Sequence, residues 1–443
     1  MSNKTKFILL FLFFYIFRTL FGLSLTFFGS NPIENDALQT YLIGLKCYTT
    51  QTWPYFGPDQ YRMDTGFHSQ LPGALEGLVV GLPFYVLPIP EAPFLFINLL
   101  SLIAIALLSW YIVKRLPEFS YFFVFSWISL LPWTLNRSTN ILNPCFLLFG
   151  SVLFFLGFFE TLPRFSMDLI KPRTAYVLMG FGIFWNMQFH LSYVLLLPLL
   201  ALDFLWRRKE RMGNWMEEIG AFFLGAVFPL CFLLPTLIKY GFFHGSEGLL
   251  KTSSLFNFDN FKNFLTILAR YLSFPCYEMP RFLGSGTSER WGFVKQALWL
   301  APPAIFLWLL GLLQPFVLLI WGWFKDDRHS DSKTILGLTM GTLLWVWVCF
   351  WFTSNGIAAH MYYVLLPLTV VYSFYIWSRL VSKKGWRTFG MVCLVASLWF
   401  QTGFIIQKMK TQSLYANRDK IVKALEQKDY RLLAERRDWG VFY

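Results

Sequence analysis

One feature dominates this chain: runs of 16 to 27 residues that are almost free of charge, separated by short basic clusters. A run of roughly 20 apolar residues is what the hydrocarbon core of a bilayer demands of a crossing helix. Eleven such runs can be read, at 7–28, 92–113, 119–135, 141–160, 174–189, 191–206, 219–240, 298–324, 334–353, 357–378 and 387–406. Only 14% of the 443 residues are charged and 56% are hydrophobic, whereas soluble globular chains carry about 25% charged residues. The balance excludes an ordinary soluble enzyme, a disordered chain and a disulfide scaffold. The fold class it predicts is an all-α polytopic membrane protein with about eleven transmembrane helices.

The net charge of +13 does not point to nucleic acid, because the basic residues are scattered between spans instead of forming a stripe on a soluble domain. Their distribution gives the orientation. With the N-terminus in the cytoplasm, the inner loops hold eighteen Lys and Arg, from Lys4 and Lys6 through Lys114 and Arg115 to Arg387, while the short outer turns at 136–140, 188–190 and 354–356 hold only Arg137. Long outer segments fall at 29–91 and 241–297, and an outer tail at 407–443 carries a charged stretch, 417–437, expected to form a short amphipathic helix. Residues 71–88 are apolar enough to cross, but a crossing there would invert every later loop. They also carry Pro72, Gly73, Glu76, Pro83 and Pro88, so they are read as a helix lying at, or re-entering from, the outer interface. Cys47 and Cys276 are the two cysteines on the outer side, and a bridge between them is open but not required by spacing. The first apolar run lacks a small-residue cleavage site, so no cleavable signal peptide is read.

In such a chain the informative residues are polar ones that lipid should exclude. The first outer loop opens on Asn31-Pro32-Ile33-Glu34-Asn35-Asp36. A carboxylate partly shielded from water can accept a proton from an attacking hydroxyl, and the pair Glu34/Asp36 can hold a divalent cation. Asp36 also precedes the helix-like Ala37–Leu42 and can serve as its cap. Arg62, Arg270, Arg281 and Arg290 are the outer-loop arginines able to fork onto phosphate oxygens. His68 can bind phosphate or orient the base. Asn186, Gln188 and His190 sit at a tight turn between two spans, where bonding freed backbone carbonyls is the competing role. Arg18, in the middle of the first span, is expected to face the bundle and find internal partners. Glu76 reads equally as a wet-face residue of the interfacial helix.

The order of parts resembles the GT-C superfamily of polytopic glycosyltransferases, in its protein O-mannosyltransferase and aminoarabinose-transferase-like branch. The likeness rests on one span followed by Glu34-Asn35-Asp36, a long outer loop ending in His68-Ser69-Gln70-Leu71-Pro72-Gly73, and an interfacial helix. It continues with Gly180-Phe181-Gly182-Ile183, Asn186 to His190 and Leu195-Leu196-Leu197-Pro198. The His68–Gly73 stretch departs from the family's His-Pro-Pro pattern, and Gln188 and His190 stand where many relatives have Lys. The resemblance implies a catalytic transmembrane module over 1–240 with its first extracytoplasmic loop at 29–91. A second loop (241–297), C-terminal helices (298–406) and the tail (407–443) follow. It implies an inverting transfer of sugar from a polyprenyl-phosphate donor to a glycan, lipid or protein acceptor at the outer face of a bacterial inner membrane, with Asp36, aided by Glu34, as the base. Arg62, His68, Gln188, His190, Arg281 and Arg290 would bind substrate. A lipid-linked-glycan flippase and a polysaccharide polymerase or ligase are the alternatives. No nucleic acid and no resident cofactor beyond that cation are expected.

Overall fold

The computed structural model describes residues 2–26, 35–59, 70–210, 213–241, 258–278, 287–323, 331–352, 358–381, 384–410 and 414–434. Glu34, Arg62, His68 and Arg281 lie outside these residues, and Asp36 is described by its backbone alone.

The chain is a polytopic, largely α-helical membrane protein. Among the described residues eight helices are long and apolar enough to cross a bilayer: 4–25, 92–115, 143–161, 215–240, 298–323, 332–350, 359–379 and 385–410. The remaining three runs appear as shorter helices. Run 119–135 is broken into α5 (Tyr121–Leu130) and α6 (Pro132–Ser138). The break has a local cause, because a proline disfavours the helical region for the residue before it, and Leu131 is extended at ψ 131°. Runs 174–189 and 191–206 form a hairpin of α8 (Pro172–Met187) and a tight turn, Leu191–Leu196, leading into α9 (Leu197–Lys209). The first four helices are α1 (Asn3–Thr26), α2 (Asn35–Thr50), α3 (Leu75–Val86) and α4 (Ala92–Arg115), and α7 covers Leu147–Thr161.

α8 lies between α7 and α10 (Trp215–Tyr240). Without a hydrophobic drive between helices in lipid, close backbone approach needs small residues at the contact. A side chain at Gly180 would strike the Phe222 carbonyl of α10, and one at Gly182 the Gly150 carbonyl of α7. The glycine-rich stretch that resembles a family motif therefore has a packing role.

The first loop is not wholly helical: β1 (Phe56–Asp59) and β2 (Gln70–Pro72) pair antiparallel. This two-stranded ribbon is a local feature of the loop in an otherwise all-α membrane protein. α3 has 12 residues, about 18 Å at 1.5 Å per residue, which is short of the ~30 Å hydrocarbon core. It buries Leu75 to Gly81 and Phe84 while exposing Leu82, Tyr85, Val86 and Leu87, the pattern of a helix half against protein and half against lipid. Cys47 and Cys276 are both buried and unbridged.

The polar groups divide between two ends. At one, Arg115 donates to Tyr111 Oη (2.6 Å), Tyr375 Oη (3.2 Å), Glu160 (3.3 Å), Asp331 (3.3 Å) and the Phe165 carbonyl. Beside it Arg207 bonds Glu218 (2.6 Å) and the Thr161 carbonyl (2.9 Å). These residues come from the last turns of α4, α7 and α9, the first turn of α10, the cap of α14 (Ser332–Phe350), the connection after α7 (Phe165) and the helix Leu366–Val381 (Tyr375). The other end gathers the first loop, the turns at 138–146 and 188–192, and the turn Ala359–Leu365 that opens α15 (Leu366–Val381).

Candidate functional site

α2 opens at Asn35, so Asp36 stands in its first turn. One turn further, Thr40 is fully buried, and its hydroxyl lies 3.2 Å from Glu76 Oε1 and 3.3 Å from Asn143 Oδ1. Glu76 is 0% exposed. Its expected wet-face role is thereby corrected: α3 turns this carboxylate inward, onto α2 and the turn Asn143–Phe146. A side chain at Gly57 in β1 would approach Glu76 Oε2 to 2.9 Å, so the small sheet closes over the same carboxylate.

The hairpin turn divides its polar residues between structure and site. Asn186 Nδ2 donates to Ser151 Oγ (3.2 Å) in α7, and Gln188 Nε2 to the Pro229 carbonyl (2.7 Å) in α10. Gln188 also packs onto Gly73, whose φ of +121° suits glycine and leaves no room for a side chain. Gln188 thus ties α8, α10 and the start of α3 together, and its amide nitrogen is committed to that tie.

His190 differs. Its Nδ1 accepts from the Ser192 backbone N–H (3.1 Å), which places the ring proton on Nε2. Its ring meets that of His360 edge-on, with centroids 6.0 Å apart. Desolvation, and then the positive charge of Arg137, hold its imidazole down at about 4. A neutral donor nitrogen is therefore retained at physiological pH.

Arg137 is the residue that sequence reading passed over, having served only in the charge count. It sits where α6 leaves helical geometry (φ −109°, ψ 15°). It is half-buried, and its Nε is buried with no hydrogen-bond partner. Among the described residues the whole guanidinium forms no hydrogen bond and no ion pair. Both Arg137 and Glu76 lie within electrostatic reach of Cys145, so a cation and a carboxylate flank the Asn143–Phe146 turn. The Tyr363 hydroxyl lies within electrostatic reach of both Arg18 and Arg137. The one signal available in the sequence was that Arg137 is the sole basic residue of the short turns at 136–140, 188–190 and 354–356.

Arg18 has the internal partners expected of it: the Ser129 carbonyl (2.8 Å), Ser101 Oγ (2.7 Å), Ser138 Oγ (2.8 Å) and the Thr134 carbonyl (3.1 Å). Arg270 is paired with Glu278. Arg290 lies half-buried in α12 (Thr287–Gln296). The second loop does reach the region, through α11 (Phe264–Ser273): Phe274, just beyond it, packs on Tyr362 and Tyr363 at 5.4 and 6.0 Å. No group of three or more His, Cys, Asp or Glu gathers in metal-binding range among the described residues. No family model, curated protein or solved structure matches this chain.

Proposed function

We propose that this protein is a membrane glycosyltransferase that moves a sugar from a polyprenyl-phosphate donor to an extracytoplasmic or lipid-linked acceptor. Residues 1–240 form its catalytic module, in a chain of eleven crossings with a cytoplasmic N-terminus in a bacterial inner membrane. The observation that carries the reading is the convergence at one end of the bundle of α2, the buried Glu76 and the interspan turns bearing Arg137 and His190. This brings a buried carboxylate, a cation and a neutral imidazole to the end where a lipid-borne substrate would arrive.

In the reaction the acceptor hydroxyl attacks the anomeric carbon from the face opposite the phosphate. Asp36, with Glu34 beside it in sequence, takes the hydroxyl proton as the new carbon–oxygen bond forms. The bond from the anomeric carbon to the phosphate oxygen breaks, and the lipid phosphate departs carrying the electron pair. Its growing charge calls for donors already in place. Buried Glu76, through Thr40, fixes the face of α2 one turn beyond Asp36.

Mass spectrometry of lipid extracts from a deletion strain tests this. The expected result is a glycan lacking one sugar and an accumulating prenyl-phosphate sugar, both corrected by the wild-type gene and not by Asp36→Asn. Full correction by Asp36→Asn, at normal expression, defeats the assignment of the base. An unchanged glycolipid profile in the deletion strain defeats the transferase reading.

A further inference from the structure

We propose that Arg137, His190 and His360 form a binding site for a phosphate oxyanion, built from three turns at the first-loop end of the bundle. The inference rests on the transferase reading only for the identity of the lipid, and it names the residues that meet the donor's phosphate.

Two arginines at this end differ in what holds them. Arg18 and Arg137 both act electrostatically on Tyr363. The Arg18 guanidinium is fully buried, and both of its terminal nitrogens bond neutral acceptors on α4, α5 and α6, its Nε alone having none among the described residues. The Arg137 guanidinium has no acceptor among the described residues, although its Nε is out of solvent. A buried donor without a partner is costly. Such a group persists where a ligand supplies the missing acceptors, and a phosphate matches the planar fork with two oxygens at once.

The neighbours agree with an anion. His190 presents Nε2–H as a neutral donor, since Nδ1 is held by the Ser192 N–H. His360 meets it at 6.0 Å from the turn Ala359–Leu365. The carboxylate that shares this end, Glu76, is bonded to Thr40 on the α2 side of the Asn143–Phe146 turn. The arrangement separates a negative half from a positive half, as a reaction with a proton-losing nucleophile and an anionic leaving group requires.

Binding is measured on the full chain in phosphatidylcholine nanodiscs by thermal shift and titration, with farnesyl phosphate, farnesol and inorganic phosphate as probes. Farnesyl phosphate should bind and farnesol should not. Arg137→Gln should weaken farnesyl phosphate about 10- to 100-fold, the range lost with a charge-assisted hydrogen bond. Arg137→Lys, which keeps charge and loses the fork, should fall between the two and decides the matter if the Gln variant does not fold. Arg164→Gln, exposed and only 3.8 Å from Glu210, should bind as wild type. Competition by inorganic phosphate shows that the oxyanion alone suffices; binding of farnesyl phosphate without such competition shows that the site requires the lipid-linked form. Equal binding of farnesol, or wild-type affinity in folded Arg137→Lys and Arg137→Gln, overturns the site. Because binding is read without sugar transfer, a site that binds farnesyl phosphate in a chain whose deletion leaves glycolipids unchanged separates this inference from the transferase reading.

Discussion

Arg18 lies close to Ser138, the immediate neighbour of Arg137, and the two arginines contrast in what holds them. Arg18 bridges α4, α5 and α6 from α1 with no carboxylate in the set. Arg18→Met would strip the Ser129 carbonyl of its Arg18 donor and leave Ser101, Ser138 and the Thr134 carbonyl with the bonds among themselves, so it should lower the thermal unfolding midpoint in nanodiscs and cost about 3 kcal/mol; an unchanged midpoint would sink that account. His190 gives a prediction in pH. In the unfolded chain an imidazole takes a proton near 6.5, whereas the folded ring, desolvated and facing Arg137, stays neutral down to about 4. Between those values unfolding takes up a proton, so this contribution to stability is complete above pH 6.5 and is lost progressively as pH falls toward 4. His190→Gln should flatten that part of the midpoint-against-pH curve; a variant curve parallel to wild type refutes the assignment. Glu76 shows why residue roles were only half legible. Its place in an apolar, proline-rich run fits either a wet or a buried face, and the choice depends on Thr40 and Asn143, which are distant in sequence.

Elements were more legible than residues because length and charge act locally. All eleven apolar runs correspond to helices, and even the broken α5–α6 pair has a visible proline as its cause. The packing role of Gly180 and Gly182 was not legible, since it belongs to the partners α7 and α10. The tail is an intermediate case. Its charged stretch forms α17 (Leu414–Glu426) and the short α18 (Arg431–Ala434), close to the expected 417–437. What no local pattern specified is the docking: Arg418 Nε meets Glu91 at 2.6 Å, and Lys46 of α2 lies 6.0 Å from the Tyr430 ring. Ile421, Ala424 and Leu425 are buried on the same helix. The tail is thus strapped to the junction of α3 and α4, on the loop that carries Asp36. A partly exposed pair is worth up to about 1 kcal/mol. Glu91→Arg should accordingly speed tryptic cleavage at Lys420 and Lys423 severalfold, and the exchange Glu91→Arg with Arg418→Glu should restore protection. Equal cleavage of wild type and the single variant would show that the strap depends on its apolar contacts alone.

At the scale of the molecule, the basic loops and the interspan turns assort to opposite ends. The Arg115 and Arg207 clusters seal one end with paired charges, while the first loop, Arg137, His190 and the tail share the other. Removing one partner of a buried pair leaves an uncompensated charge, so the sealed end reads as structural and the end with the unpaired Arg137 as the one open to a ligand. This division also makes the proposed orientation testable. Gln51 and Glu426 are exposed at the first-loop end, and Lys114 and Lys209 at the sealed end. In a background with the native cysteines replaced, an impermeant maleimide added to intact cells should label Gln51→Cys and Glu426→Cys, and reach Lys114→Cys and Lys209→Cys only after the membrane is opened. The reverse pattern would put Arg137 and Asp36 on the cytoplasmic face, where an extracytoplasmic acceptor could not meet them. Labelling of one residue from each pair would break the alternation of crossings on which the eleven-span count depends.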